Sequence, residues 1–149
     1  MRFMMLMIPR VYQGKEGRSV SSDFAPSAEE VAKMTKYNEE LAKAGALIGL
    51  DGLHPAAKGA RVSFRGGRAA ITDGPFDEAK EVLGGYWMIN VKSKEEALEW
   101  ARRVPAQDGD VIEVRQVFDM SDFPPDVRQA ADSPTVQAQV EKQGARPHA

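Results

Sequence analysis

One pattern occurs twice in this chain and limits the folds that it can adopt. An apolar run of strand length at 2–8 precedes Ser-Ala-Glu-Glu at 27–30, and a second apolar run at 86–91 precedes Ser-Lys-Glu-Glu at 93–96. In such a capping box the serine hydroxyl and the glutamate carboxylate each accept a hydrogen bond from a backbone amide at a helix start. The pattern therefore predicts two strand–helix units.

Each predicted helix is followed by a predicted strand. Gly45 is placed to end the first helix in a left-handed conformation, and a strand is predicted over 46–53. Pro105 ends the second helix, and alternation over 111–117 predicts a half-exposed strand. The buried face of the first helix is predicted to be Val31, Met34 and Leu41. That of the second is predicted to be Ala97, Leu98 and Ala101, with Trp100 as a residue that could broaden it.

A hairpin separates the two units. The runs 61–64 and 68–72 flank Gly66-Gly67, which is typical of a two-residue hairpin turn. The predicted fold class is therefore α+β, in the ferredoxin-like βαββαβ arrangement with an added hairpin. This predicted domain spans 1–118, and residues 119–149 form a C-terminal arm that we expect to be partly helical or disordered.

The polar connection at 9–26 is longer than most loops of a compact domain. Loops beyond about 12–15 residues are often lids or rims of binding sites. The alternative is a mobile insertion that varies among relatives. The sequence leaves both interpretations open.

Composition limits the compartment and the partners. The 149 residues include no cysteine and carry a net charge of −2 with both signs interspersed. The absence of cysteine excludes disulfides and cysteine metal sites and fits a reducing cytoplasm. The charge gives no footprint for nucleic acid, and no apolar run approaches the roughly 20 residues of a membrane span. We therefore expect a cytoplasmic protein that binds neither nucleic acid nor a membrane directly.

The connection between the hairpin and the second unit concentrates charge. It begins Asp73-Gly74-Pro75-Phe76, continues through 77–81 and closes at Gly84-Gly85. Four carboxylates and one lysine lie in this stretch. Connections carry binding and catalytic groups more often than core strands do, so this segment is the first candidate for a functional site.

Several motifs, in this order, resemble the DGPF branch of the YCII-related family. They are the Met-rich first strand, Ala44-Gly45, 52–55, 72–76 with Lys80-Glu81, 84–86, 97–101 and 112–115. The resemblance covers residues 1–118. It implies a ferredoxin-like fold of the dimeric α/β-barrel type, in which the sheets of two subunits face each other. A homodimer is also expected because an apolar sheet face needs a cover.

The resemblance implies a site in a cleft between the sheet and the connecting loops, and two kinds of function. A related YCII enzyme is a dehydrochlorinase of a chlorinated hydroxyquinol, with a histidine–aspartate pair as its proposed catalytic groups. Genes of the DGPF branch often stand beside those of extracytoplasmic-function sigma factors, which implies a regulatory link. In short YCII relatives the proposed catalytic histidine lies on the first helix, where this chain has Tyr37 and Asn38. The dehydrochlorinase mechanism therefore does not transfer residue by residue.

Asp73 and His54 are the candidate catalytic residues. A carboxylate at a strand end can act as a general base if burial raises its pKa toward neutrality, whereas Asp in an Asp-Gly turn commonly bonds the turn amides instead. His54 is the one histidine within 1–118, and its reference pKa near 6.5 suits a proton shuttle or a hydrogen-bonded structural role. A His54–Asp73 pair requires two strand ends to meet, and an Asp51–His54 pair is disfavoured by its spacing.

The remaining candidates would bind substrate. The predicted binding residues are Gly74, Pro75, Phe76, Lys80, Glu81 and Tyr86. Tyr86 and Trp87 point to opposite sheet faces, so one is expected in the core and the other toward the cleft. Arg61, Arg65 and Arg68 could bind an anion or simply coat an exposed hairpin. No metal-ligand spacing or glycine-rich phosphate motif is present, so neither a metal nor a cofactor is predicted.

Two functions from different classes remain open. The first is a protein that binds a small metabolite near the Asp73–Phe76 loop, with acid–base chemistry of the elimination or isomerisation type. The second is a non-catalytic regulatory or binding module that partners an extracytoplasmic-function sigma factor. Sequence alone does not decide whether the chain is an enzyme.

Overall fold

A computed structural model describes residues 1–77 and 81–144 of the chain. The elements of the first compact unit, Met1–Val117, are strands β1 to β6 and helices α1 to α3. In chain order they are β1 (Arg2–Ile8), α1 (Gly14–Arg18), α2 (Ala28–Lys43), β2 (Leu47–Gly52), β3 (Ala60–Arg65), β4 (Arg68–Asp73), β5 (Gly85–Asn90), α3 (Lys94–Arg102) and β6 (Val111–Gln116).

Four of the strands form one antiparallel sheet in the order β2-β5-β1-β6, and β3 pairs with β4 as a separate hairpin. With α2 between β1 and β2 and α3 between β5 and β6, this is a βαββαβ chain with an inserted hairpin. The predicted α+β class is confirmed, and the arrangement is consistent with a ferredoxin-like fold.

The core lies between one face of the sheet and the two long helices. Phe3 and Met5 of β1 and Trp87 and Ile89 of β5 are buried, each two residues from its neighbour on the strand. Side chains two residues apart share a sheet face, so the odd-numbered positions form this buried face. The helices cover it with Tyr37, Leu41, Ala97 and Trp100.

The opposite side of the sheet, here called the open face, carries the alternate residues. Met4, Leu6 and Met88 are half-buried there, and Val111 is 53% exposed. Tyr86 also lies on this face, directly opposite Leu6 of β1. The prediction that Tyr86 and Trp87 diverge is confirmed, because Trp87 is 5% exposed in the core.

Local signals set the ends of α2 as the sequence predicts. The Ser27 hydroxyl accepts from the Glu30 amide, and the Glu30 carboxylate accepts from the Ser27 amide. At the other end Gly45 has a φ of 70°, its amide donates to Ala42, and the Ala46 amide donates to Leu41. This pair of bonds is a Schellman motif, which satisfies carbonyls that the helix leaves without partners.

Three details differ from the predictions. At the second helix one of the two capping-box bonds forms, in which the Ser93 hydroxyl accepts from the Glu96 amide. The Glu96 carboxylate accepts from the Lys92 amide instead of the Ser93 amide. In α3 Leu98 is 37% exposed and lies outside the core, whereas Trp100, which the sequence offers as a residue that broadens the buried face, is buried. In α2 Val31 is 47% exposed, so it lies outside the core.

The second compact unit begins at Phe118. Its described residues, 118–144, include the α-helices α4 (Pro125–Ala131) and α5 (Pro134–Gly144), and Phe118 stacks on Phe123 with ring centroids 5.0 Å apart. Val136 and Val140 of α5 are both exposed. The last residues of the predicted arm, 145–149, lie outside the described residues.

Candidate functional site

The Asp73–Phe76 loop starts at the base of the hairpin. Asp73 is the last residue of β4, lies opposite Ala60 and is exposed. The amide of Gly74 donates to the Gly59 carbonyl at 2.9 Å, and the Gly74–Pro75 peptide is cis. The base role for Asp73 depends on burial, and the described residues of this one chain do not bury it.

Gly74 is required by a close backbone approach. A Cβ atom added there would lie 1.8 Å from the carbonyl oxygen of Ala56, a distance that no side chain tolerates. Its φ is not among the positive values found at other glycines, so the reason for glycine is space rather than a left-handed conformation. The loop is therefore held against the short 3-10 turn Ala56–Lys58.

The next residues of the connection contact other segments. Phe76 is half-buried, with the Arg61 guanidinium 4.0 Å above its ring centre. Asp77 pairs with Arg18 at 2.7 Å. Lys80 lies outside the described residues, and Glu81 is exposed. Arg61 thus contacts an aromatic ring, an arrangement that stabilises the cation without an anionic ligand.

His54 and Tyr86 differ in the contacts that their side chains make. His54 is exposed just beyond β2. The Tyr86 hydroxyl donates to Asp51 at 2.7 Å across β2 and β5, and this bond raises the pKa of the Tyr86 phenol. In the part of the chain that the structure describes, no hydrogen bond or ion pair joins His54 to Asp73. Their pairing, and the binding roles of the loop residues, stay predictions.

A cavity of about 870 Å³ lies between α2 and the segment that precedes it. Its apolar wall includes Met7, Tyr12, Phe24, Val31, Met34 and Leu53. The segment 9–27 supplies much of this lining, so it forms one wall, as a rim loop would. Val31, which the sequence predicts in the core, lines this space instead.

Two aromatic side chains hold the segment 9–27 in place. The rings of Tyr12 and Phe24 meet edge to face, with centroids 5.9 Å apart. The Tyr12 hydroxyl donates to the Leu53 carbonyl at 3.3 Å, and burial raises the pKa of this phenol. The amide of Gly17 donates to Gln13, and a Cβ at Gly17 would meet the Tyr12 carbonyl at 2.0 Å, so the backbone here is folded tightly on itself.

The charged connection and the cavity wall are joined by Gln13. Its side-chain amide donates to the Val82 carbonyl at 2.8 Å and accepts from the Val82 amide at 2.9 Å. The same nitrogen also donates to the Pro9 carbonyl at 2.8 Å. Gly84, where the connection ends, lines the cavity itself and bonds Met7 and Leu53 through its backbone. The connection therefore braces the wall of the cavity.

The two α2 residues that stand in place of histidine take different positions. Tyr37 is 4% exposed, its hydroxyl donates to the Trp100 carbonyl at 2.9 Å, and burial raises its pKa. Asn38 lines the cavity, and its side-chain oxygen accepts from the Trp87 indole at 2.8 Å. The sequence singles out Asn38 only because it lies on the helix where short YCII relatives carry a histidine, and it predicts no cavity role for this residue.

The sequence also does not predict that Gln13, Tyr12 and Phe24 help to form the wall of the cavity. An available signal was that the polar stretch 9–26 carries isolated aromatic residues. Large rings in a polar loop favour contact with one another and with other apolar groups, and here Tyr12 is half-buried while Phe24, 37% exposed, contacts the Tyr12 ring at the cavity.

Among the described residues no group of three or more His, Asp or Glu side chains is arranged to hold a metal ion. Within the same ranges no helix is long and apolar enough to cross a membrane.

Comparison with known proteins agrees with this architecture. A family model described as the YCII-related domain matches residues 1–121. A relative from Rhizobium meliloti (strain 1021), the uncharacterized protein R00369, is 31% identical over 86 residues. That match covers 56% of this chain and 69% of the relative.

Proposed function

Since the chain belongs to the YCII-related family, we propose that it binds a small metabolite in the cavity between α2 and the segment 9–27. The observation that supports this proposal most directly is the cavity itself. Its volume of about 870 Å³ falls within the range of roughly 300–1,000 Å³ that ligand pockets occupy. Its walls are mostly apolar with a few polar groups, which is the usual composition of such pockets.

The Asp73–Phe76 connection supports the binding site from outside. Its contacts through Val82 with Gln13 hold the wall that closes the cavity, and the exposed Asp77–Arg18 ion pair joins the same two segments. The connection therefore has a positioning role, while the bound molecule lies on the other side of the wall. We also propose that the chain belongs to the DGPF branch of the family, because the tetrapeptide that names this branch, Asp73–Phe76, is the first part of the connection.

Acid–base chemistry is the second part of the proposal and requires a homodimer. Asp73 and His54 are exposed in one chain, and a general base works best where water is excluded. A second subunit that covers the open face would enclose Tyr86 and the strand ends beside His54. In that assembly we assign Asp73 as the base and His54 as the proton shuttle of an elimination or isomerisation, acting on a molecule bound at the hairpin base, a site separate from the cavity.

A thermal-shift screen of a metabolite library tests the binding site. Ligand at 100 times its dissociation constant stabilises a protein by about 2.7 kcal/mol, a shift of several degrees in Tm. We expect hits with the wild type that weaken or disappear in Val31→Trp, whose larger ring takes up part of the cavity. The matched control is Val136→Trp on α5, since Val136 does not line the cavity and is 60% exposed.

A parallel screen with Asp73→Asn separates the two parts of the proposal. Hits that persist in this variant place the ligand in the cavity and away from Asp73. Hits that persist in Val31→Trp but vanish in Asp73→Asn would instead place it at the hairpin base. No hits with the wild type would contradict the metabolite site and favour the regulatory alternative. Co-purification with an extracytoplasmic-function sigma factor is the measurement for that alternative.

A further inference from the structure

The orientation of Asn38 bears on which ligand the cavity accepts. Asn38 lies on the side of α2 that lines the cavity, and Trp87 lies 5% exposed in the core beneath it. The indole nitrogen of Trp87 donates to the Asn38 side-chain oxygen at 2.8 Å. An indole nitrogen can only donate, so the oxygen of the amide must be the atom that faces it.

The other half of the amide is therefore a pair of donors. With its oxygen held by Trp87, Asn38 has its NH₂ group left for other partners, and no described residue accepts from it. Thr35, three residues earlier on the same helical side, also lines the cavity with a hydroxyl group. The α2 side of the cavity thus offers donors to a ligand atom that accepts hydrogen bonds.

The charge around the cavity is negative. Its described lining holds four carboxylates, and the one guanidinium is that of Arg10. The four are Glu16, Glu30, Asp108 and Asp110. Such an excess disfavours an anionic ligand, since like charges repel, although solvent and salt screen part of this repulsion because Glu16, Glu30 and Asp108 are exposed.

Two of these carboxylates are fixed in place by hydrogen bonds. The Glu30 carboxylate accepts from the Ser27 amide and hydroxyl and from Gln107, which keeps the pKa of Glu30 below its usual range. The Asp110 carboxylate accepts from the amides of Arg10 and Gln107, each at 2.8 Å. Both carboxylate groups are therefore held at fixed positions beside the cavity.

The apolar wall completes the pattern. Tyr12 and Phe24 form an edge-to-face pair, and Met7 and Met34 add thioether groups that pack well on aromatic rings. We propose that the cavity takes an uncharged or cationic aromatic molecule, that Asn38 binds a hydrogen-bond acceptor on it, and that the carboxylates reject aromatic acids. This inference rests on the proposed function and names its ligand class.

Three probes with one aromatic body test the charge preference. They are indole-3-acetamide, tryptamine and indole-3-acetate, which present an amide, an ammonium and a carboxylate on the same indole. We would titrate each into the ¹⁵N-labelled full chain and follow the amide signals of Val31, Thr35 and Asn38. We expect the first two to shift these signals, with indole-3-acetate weaker by at least about tenfold.

Asn38→Asp tests the donor role. Aspartate keeps an acceptor for the Trp87 indole, so the core contact remains, but it turns the donors into a carboxylate. We expect indole-3-acetamide to weaken by about tenfold or more, because its carbonyl meets an anion, while tryptamine keeps or gains affinity. An equal loss for both probes would show that Asn38 acts only through structure and would overturn its assignment.

The double substitution Glu16→Gln, Asp108→Asn tests the carboxylate role, since both residues are exposed and neither side chain makes a hydrogen bond or ion pair with a described residue, so we expect the fold to tolerate the change. We expect the affinity for indole-3-acetate to rise by about threefold or more. If indole-3-acetate binds the unaltered protein as tightly as the other probes at the same signals, the ligand class is wrong while the cavity site stands. If no probe binds, the inference about the ligand class is also wrong, and the thermal-shift screen separately tests whether the cavity binds any metabolite.

Discussion

Gly74 shows how one residue can be fixed by a neighbour that the sequence does not reveal. Its Cβ position lies 1.8 Å from the Ala56 carbonyl oxygen and 3.3 Å from that of Gly59. Both neighbours are backbone atoms, which cannot rotate aside as a flexible side chain would. We expect Gly74→Ala to lower the free energy of unfolding by about 1–3 kcal/mol, as measured by urea unfolding.

The matched control for this substitution is Gly49→Ala. A Cβ at Gly49 meets no atom within 4 Å, and its φ is not positive. That change should move the free energy of unfolding by less than about 1 kcal/mol, because it only reduces the freedom of the unfolded chain. Equal stability of the two variants would show that the backbone of Ala56 yields easily, contrary to the rigid contact argued for the loop.

Three hydrogen bonds of the Gln13 side chain fix the segment 9–27 to the backbone of Val82 and to its own Pro9. Replacing Gln13 with Leu leaves the carbonyl and amide of Val82 without their partner in a half-buried place. We expect Gln13→Leu to cost about 1–3 kcal/mol of stability and to speed hydrogen exchange at the Val82 amide. Affinity for any cavity ligand should fall as well, because the wall is no longer braced.

Arg18→Ala is the control at the same scale. Its ion pair with Asp77 joins the same two segments, but the Asp77 side chain is 93% exposed. Exposed pairs contribute about 0–1 kcal/mol, so Val82 exchange should change little in this variant. If Arg18→Ala loosened the wall as much as Gln13→Leu, the brace would be ionic and would weaken with added salt.

The elements that the sequence predicts well are those with local causes. The capping box at Ser27, the Schellman motif at Gly45 and the turn at Gly66-Gly67, where φ is 57° and 75°, depend on residues close in sequence. The cavity depends on how 9–27 folds back over α2, and the exposure of Leu98 depends on how α3 packs on the sheet beneath. Those outcomes are long-range, so periodicity within one segment could not supply them.

At the scale of the whole molecule, the two faces of the sheet differ in how they are covered. The helices bury one face, while the open face carries Met4, Leu6 and Met88 in a row across β1 and β5 with Val111 at one side. Ile48, at the irregularity in β2, is 52% exposed. Apolar sheet faces are stable when another layer covers them, and a two-fold axis lets one surface cover its own copy.

We therefore expect the protein to be a dimer at micromolar concentration, measured by light scattering, and Met88→Lys to make it a monomer. Met88 is half-buried and central on the open face, so a lysine there keeps its ammonium in water in one chain but places two charges inside the shared interface. Phe64→Lys is the control, because Phe64 on the hairpin is 79% exposed and off this face. A wild-type monomer at these concentrations would contradict the dimer, and with it the enclosure that acid–base chemistry at Asp73 and His54 requires.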